Sequence, residues 1–166
     1  DRHLDAVRLT VDGKTQVYNV PTPRTVYTNA GAAALFAKPG DVVTPSVSYT
    51  GTWMHSYVYL DKNQDGQFDP QTELVSYSYY QGKNSEGQAV SNGNTIQPRP
   101  FTIPADLAPG IYRLRYKVDW DNNDPLGSGD VLKHGGAFVD IRLNVHGNTA
   151  TLRQQNLNGE IITPEG

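Results

Sequence analysis

The sequence predicts an all-β fold, an antiparallel β-sandwich of about eight to ten short strands. The composition points this way, because Gly (16), Pro (11) and Tyr (10) are plentiful and only 19% of residues are charged. A helical domain would use more Ala, Leu, Glu and Lys. Short runs with period-two alternation recur along the chain, and turn signals separate them at regular spacing. This pattern fits a sandwich better than any α/β scheme.

The size, the composition and the charge of the chain exclude several classes of function. The chain has 166 residues, enough for one domain with a sizeable core, and no cysteine, which excludes a disulfide framework, thiol catalysis and sulfur-ligated zinc. Its net charge is −3 and its basic residues are scattered, so neither nucleic acid nor an anionic membrane is an expected partner. No apolar run approaches the roughly 20 residues of a membrane span, and no signal peptide is recognisable. Because the chain starts abruptly at Asp1, we interpret it as a mature or trimmed product.

The first elements follow from turn chemistry. Residues 6–20 predict an opening hairpin, because two β-prone runs flank Asp12-Gly13, a dipeptide suited to a two-residue turn. Two prolines then end the ladder. Residues 25–37 start and end as short strands, and the small residues between them are either one helical turn or extended chain.

The middle strands are defined by alternation. Residues 41–49 place apolar side chains on one face and Thr or Ser on the other, as in a half-buried strand. Strands at 53–60 and 73–80 then flank an acidic stretch, so the two ends of that stretch should lie side by side. Residues 82–100 predict a long exposed loop with at most a short strand near 88–90.

The last third carries the clearest strands. Residues 101–104 predict a short edge strand, and a Pro-Gly turn leads into 111–120, where apolar and charged residues alternate. A polar loop, 119–130, precedes a final strand at 137–145. We therefore assign residues 1–147 to the β-sandwich domain and interpret 148–166, which has few apolar residues, as a linker or the start of a following module.

The stretch from Asp61 to Asp69 has the spacing of a cation loop. Oxygen donors fall at every second position, and Gly66 allows the chain to bend around an ion. The match to an EF-hand-type loop weakens at position twelve, which is Thr72, and Glu73 is the expected replacement. The predicted ligands are Asp61, Asn63, Asp65, the Gln67 carbonyl, Asp69 and Glu73.

The charge of this stretch favours a bound cation. From Asp61 to Glu73, four acids against one base give a net charge of −3, equal to that of the whole chain. Acids packed this closely repel one another unless a cation or solvent separates them. The hard oxygen set favours calcium. The alternative is a polar turn without an ion, because Asn, Asp and Gly are common in turns for reasons of their own.

Several segments together resemble a known family. They are, in order, KPGDVVTPSVSYTG, YVYLDKNQDGQFD with its following ELV, FTIPADLAPGIYRLRYKV and GGAFVDIRLNV. From Pro39 to Val145 the chain is similar to the GEVED-type β-sandwich domain of secreted bacterial multidomain proteins. The residues that match the family's loop and its paired arginines are Asp61, Asn63, Asp65, Gly66, Phe68, Glu73, Arg113 and Arg115.

The resemblance departs at the family's closing motif. Where that motif would stand, residues 135–140 keep only a Gly and the final Asp140, so the role of the motif's first Glu does not carry over. The segment TGTWMHSYVYLD further resembles a variant attached to glycan-degrading enzymes and surface lipoproteins. The resemblance implies an accessory module outside the cytoplasm, secreted, at the cell surface or in the periplasm. It implies no activity.

Enzymatic motifs are missing from the sequence. Hydrolysis would need two carboxylates held about 5 to 10 Å apart in a cleft, whereas the acids here cluster in two loops at the rim of the fold. No nucleophile, metalloprotease or phosphate-loop motif is present, and the four histidines lack ligand spacing. The sequence therefore predicts that the chain is not an enzyme.

Sugar binding is the sharper alternative. Carbohydrate sites on β-sandwiches use exposed aromatic faces beside amides and carboxylates. The candidates, besides Trp53 at a strand start, are Trp120, Asp121, Asn123, Asp124 and Tyr80. Trp120 continues the core phase of its strand, which favours a core role. Tyr80 has the opposite phase to Tyr77 and should be exposed.

Arg113 and Arg115 share the outward phase of their strand. Two guanidinium groups about 7 Å apart repel each other unless each meets an acid or a ligand. We expect a cross-strand pair with Asp140 or Asp119, which have the same outward phase. The alternative is that the arginines bind an acidic sugar.

The sequence thus favours a non-catalytic extracytoplasmic accessory module, a spacer or interaction domain of a larger exported bacterial protein, stabilised by calcium. Its expected partners are neighbouring domains of the same polypeptide and glycans, with no nucleic acid and no membrane insertion. The second interpretation is a carbohydrate-binding module of a glycan-degrading system, and an independent hydrolase comes third.

Overall fold

Two β-sheets make up the fold. The computed structural model describes residues 3–90, 96–120, 125 and 136–147. The strands within them are β1 (His3–Val11), β2 (Lys14–Asn19), β3 (Tyr27–Ala37), β4 (Val42–Thr50), β5 (Met54–Leu60), β6 (Leu74–Ser78), β7 (Phe101–Thr102), β8 (Gly110–Trp120) and β9 (Ala137–Val145). One sheet has the order β2-β1-β4-β7 and the other β3-β9-β8-β5-β6. The predicted all-β sandwich is confirmed.

Among the described strands, one pair departs from the predicted antiparallel arrangement. β3 pairs with β9 in parallel. Consecutive strands that form a hairpin must be antiparallel, but β3 meets a strand that lies about a hundred residues later in the chain. Turn chemistry therefore does not set its direction. The region that was ambiguous between a helical turn and extended chain belongs to β3, whose register shifts between Asn29 and Ala34.

The core lies between the facing sides of the two sheets. Tyr112, Leu114, Tyr116 and Val118 of β8 are buried, as the alternation of that strand predicts. They pack in one cluster with residues of β1, β4 and β9. The Tyr116 hydroxyl crosses the core and donates to the Arg8 carbonyl oxygen at 3.2 Å.

The opening hairpin has the predicted turn. Asp12 and Gly13 have φ values of 52° and 75°, which are the positive values of a two-residue type I′ turn. β1 and β2 pair from Val11 with Lys14 to Ala6 with Asn19. The predicted edge strand is also found, since β7 pairs with β4 at the border of the first sheet.

The outer face of β5 and β8 is buried, contrary to the expectation that Asp119 would face solvent. The Tyr57 hydroxyl lies 2.9 Å from both carboxylate oxygens of Asp119. Lys117 Nζ lies 3.5 Å from Asp119 Oδ2 and 4.4 Å from the centre of the Tyr57 ring. The charged pair of Lys117 and Asp119 is thus enclosed among aromatic rings. Period-two alternation cannot distinguish such a buried charged pair from an exposed charged pair.

The segment after β6 is more ordered than the predicted exposed loop. Asn84 and Val90 are buried, and isolated bridges join Ser78 to Asn84 and Lys83 to Ala89. The Asn84 side-chain oxygen accepts hydrogen bonds from the backbone N–H groups of residues 86 and 88. The segment therefore folds back along β6 because an Asn side chain replaces ladder partners.

Two sequence predictions lie outside the described residues. They are most of the polar loop 119–130 and the linker or module start at 148–166. In the part of the chain that the structure describes, no helix has the length and hydrophobicity needed to cross a membrane.

Candidate metal centre

The acidic loop joins two neighbouring antiparallel strands. β5 ends at Leu60 and β6 begins at Leu74, and these strands pair with each other. The Leu60 N–H donates to the Glu73 carbonyl oxygen at 2.8 Å, and the Asp61 N–H donates to the Arg113 carbonyl oxygen at 3.0 Å. Residues 61 and 73 therefore lie side by side at one end of the sheet, as predicted.

Glu73 is held beneath the loop by backbone donors. The N–H of Lys62 donates to its Oε2 at 2.7 Å, and the N–H of Asp69 donates to its Oε1 at 2.9 Å. The residue is buried. Because both carboxylate oxygens have partners, the orientation of this side chain is fixed before any ligand arrives.

Asp61 is the second buried carboxylate. Its Oδ2 accepts the Gly66 N–H at 2.8 Å and its Oδ1 accepts the Asp65 N–H at 3.3 Å. Burial raises the pKa of Asp61 above its ordinary value and the charge of Glu73 adds to the rise, while the bond from Gly66 opposes it. Gly66 has φ +79°, a left-handed conformation that glycine adopts with little strain. This bend directs the Gly66 N–H towards Asp61.

Three carboxylates converge in the loop. Asp61, Asp65 and Glu73 each offer an oxygen, and these atoms lie within 4.8 Å of one another. Calcium binds oxygen at about 2.3 to 2.6 Å, so two ligands on opposite sides of one ion are about 5 Å apart. The spacing of these oxygens leaves room for one divalent cation, and hard donors of this kind suit calcium.

The other predicted ligands are hydrogen-bonded to the clustered carboxylates. Asn63 lies beside the cluster, where its Nδ2 donates to Asp65 Oδ2 at 3.2 Å. Gln67 contributes a backbone N–H to Asp65 Oδ1 at 2.9 Å. The Asp69 carboxylate is not part of the three-carboxylate cluster, and its Oδ1 accepts the Gln71 N–H at 2.9 Å.

Sequence reasoning missed Gln64, which fixes the loop to the sheet. Its Nε2 donates to the Ile111 carbonyl oxygen of β8 at 2.8 Å. Gln64 occupies an even position of the loop, and its φ of 59° turns the backbone. No local pattern indicates this contact, since its acceptor lies 47 residues away.

The predicted Arg–Asp pair is confirmed, and it involves Asp140. Arg115 donates from Nε to Oδ1 at 2.7 Å and from Nη2 to Oδ2 at 2.9 Å, and Arg113 donates from Nη1 to Oδ2 at 3.0 Å. The Asp140 side chain is only 2% exposed, so this is not the exposed bridge that was expected. Burial lowers the pKa of Arg115, but the hydrogen bond and charge of Asp140 outweigh it and the net pKa is raised.

The predicted sugar-binding aromatics lie at the other end of β5. Tyr80 is half-buried, and its ring stacks on that of Trp53 with centroids 6.3 Å apart and planes 19° apart. Trp53 is 54% exposed. Trp120 is half-buried at the end of β8, opposite Met54. The remaining candidates, Asp121, Asn123 and Asp124, lie outside the described residues.

Comparison with known proteins identifies a family for this chain. No curated protein matches the chain. The family model of the GEVED domain matches residues 55–144, which is more than half of the sequence. The matched segment starts in β5, contains the whole acidic loop and ends in β9, so it includes the three carboxylates and both arginines that bind Asp140. The chain therefore belongs to the GEVED domain family.

Proposed function

We propose that this chain is a non-catalytic accessory module, a spacer or interaction domain of a larger exported bacterial protein, and that loop 61–73 binds calcium. The observation that carries the proposal is the convergence of Asp61, Asp65 and Glu73, with ligand atoms within 4.8 Å of one another. Its partners on this proposal are neighbouring domains of the same polypeptide and glycans.

The electrostatics of the loop support a cation. Two of the three carboxylates are buried, and like charges at this separation repel more strongly where water is excluded. A divalent ion would remove that repulsion. It would also link β5, β6 and β8, because the loop is bonded to all three strands. The role of calcium here is structural: it stiffens one end of the sandwich.

The test is thermal unfolding of the metal-stripped protein with and without calcium. A cation that binds only the folded state stabilises it by about 2.7 kcal/mol at a hundredfold excess over its dissociation constant. We expect calcium to raise the melting temperature, chelator to reverse the rise, and magnesium to have a smaller effect because it requires stricter octahedral geometry.

Two variants make this test specific. Asp65→Ala removes an exposed ligand without opening the core, and it should abolish the response to calcium. Asp106→Ala removes an exposed carboxylate from the turn after β7, far along the chain from the loop, and should leave the response unchanged. An unchanged melting temperature on adding calcium, with stripping verified by elemental analysis, would contradict the proposal.

Carbohydrate binding is a second candidate, favoured by the stacked Trp53–Tyr80 pair. An exposed indole beside a near-parallel phenol ring offers a flat surface for the apolar face of a sugar. Binding on a glycan array that disappears in Trp53→Ala would support this function. An array without any bound glycan would leave the spacer role as the better account.

A further inference from the structure

A cleft lies on the outer face of the five-stranded sheet, beside the acidic loop. It has a volume of about 640 Å³, within the range of roughly 300 to 1,000 Å³ that is common for small-molecule sites. Its lining includes Asn29, Gly31, Gln64, Ile111, Arg113 and Arg142.

The floor of this cleft contains two opposed arginines. Arg113 of β8 and Arg142 of β9 are direct cross-strand partners, so their side chains leave the same face of the sheet. The wall comes from β3. That strand advances from Asn29 to Ala34 while β9 advances only from Asp140 to Arg142, so three extra residues loop out of the ladder.

Asp140 cannot neutralise both arginines of the floor. Its two oxygens already accept two hydrogen bonds from Arg115, one from Arg113 and one from the Tyr27 hydroxyl at 2.8 Å. Oδ2 accepts three of these bonds and Oδ1 accepts one, so a single negative charge is already shared between two guanidinium groups. None of the described contacts joins Asp140 to Arg142.

Arg142 is therefore the unmatched charge. It is exposed, and among the described residues it forms no hydrogen bond or ion pair. Arg113 uses one N–H on Asp140, and its side chain is 49% exposed. Like charges directly opposite one another on a sheet are destabilising, and of this pair Asp140 offsets the charge of Arg113 only. An anion between the two guanidinium groups would relieve the remaining repulsion.

The other lining groups indicate what kind of anion fits. The Asn29 Oδ1 accepts the Gly31 N–H at 2.9 Å, which leaves its NH₂ group to donate. Gln64 uses Nε2 on the sheet, which leaves its side-chain oxygen to accept. Ile111 is 59% exposed and offers an apolar surface. A carboxylate, hydroxyls and an apolar face occur together in a uronic acid.

We propose that this cleft binds a carboxylate-bearing sugar of the uronic acid class. Arg113 and Arg142 hold the carboxylate, since planar guanidinium groups match its geometry, and the two amides bind ring hydroxyls. The site is separate from the Trp53–Tyr80 pair, which lies at the opposite end of β5. The proposal does not rest on the accessory role.

The experiment is a titration of the full chain with glucuronate at physiological salt, in which backbone amide NMR monitors binding. Glucose, acetate and a short glutamate-containing peptide are the comparison ligands. We expect glucuronate to shift resonances of β8, β9 and the β3 bulge and to bind at least about tenfold more tightly than each comparison ligand, because only it supplies both charge and hydroxyls.

Two variants complete the test. Arg142→Gln removes a charge that has no partner to lose, so it should fold normally and weaken glucuronate binding by about tenfold. Arg99→Gln removes the same charge from an exposed pair with Glu86 elsewhere and should keep the wild-type affinity. The proposal would be overturned if glucuronate did not bind, or if acetate, glucose or the peptide bound equally or more tightly. An equal loss of affinity in both variants would also overturn it.

Discussion

Asp140 is the residue on which the outer face of the sheet depends. Its buried carboxylate accepts bonds from two arginines and a tyrosine that come from β8 and β3. Arg115 also lies over the Phe68 ring at 4.6 Å and near the Phe138 ring at 5.2 Å, so its guanidinium is enclosed on several sides. The Arg115 guanidinium needs the Asp140 carboxylate, because water cannot fully replace that carboxylate in such an enclosed position.

We expect Asp140→Ala to destabilise the fold by about 3 kcal/mol, since removing one partner of a buried ion pair leaves the other charge uncompensated. Urea unfolding monitored by tryptophan fluorescence would measure it. Arg142→Gln is the matched comparison and should change the free energy of unfolding by less than about 0.5 kcal/mol. A loss below about 1 kcal/mol for Asp140→Ala would show that the network relaxes into solvent.

At the scale of the element, the start of β9 depends on a close approach between backbones. Gly136 has φ +150°, and a Cβ built on it would lie 2.2 Å from the Val118 carbonyl oxygen of β8. Gly13 in the hairpin turn also has positive φ, but a Cβ there would meet nothing within 4 Å. A side chain at Gly13 would therefore meet backbone strain alone, whereas one at Gly136 would meet backbone strain and a steric clash.

Gly13→Ala should cost about 1 to 2 kcal/mol, the penalty for a side chain in the left-handed region. Gly136→Ala should cost clearly more, because the backbone of β8 or β9 must move as well. Thermal melting of both variants would compare them. Equal losses would mean that the β8–β9 pairing can shift without cost at this point.

At the scale of the whole molecule, the acidic loop and the arginine cleft are neighbours. Asp61, Gln64 and Gly66 line the cleft as well as forming the loop. Without a cation, the loop places negative charge beside a site proposed for an anion. Calcium would neutralise that charge, so the two sites should be coupled through their electrostatics.

We therefore expect glucuronate to bind more tightly in calcium than in chelator, and calcium to bind more tightly in glucuronate by the same factor. Isothermal titration in both orders would measure the two factors. A metal-insensitive affinity for glucuronate, in a sample whose melting temperature does respond to calcium, would show that the sites are independent.

The sequence by itself determined the local features of the protein. Alternation identified the core-facing residues of β8 and β9, and the Asp12-Gly13 dipeptide identified its hairpin. The spacing of Asp61, Asp65 and Glu73 identified the loop in which these carboxylates converge. These features depend on neighbours a few residues away, so their signals are written in short windows.

Only the tertiary structure decided which strands and side chains meet. The parallel pairing of β3 with β9 brings Tyr27 to Asp140 across 113 residues, and the register of β8 on β9 sets Arg142 opposite Arg113. The burial of Lys117 and Asp119 likewise depends on the tyrosines around them. Period-two alternation indicates which face of a strand a residue occupies. The pairing partner, the register and the burial of that residue follow from packing between distant parts of the chain.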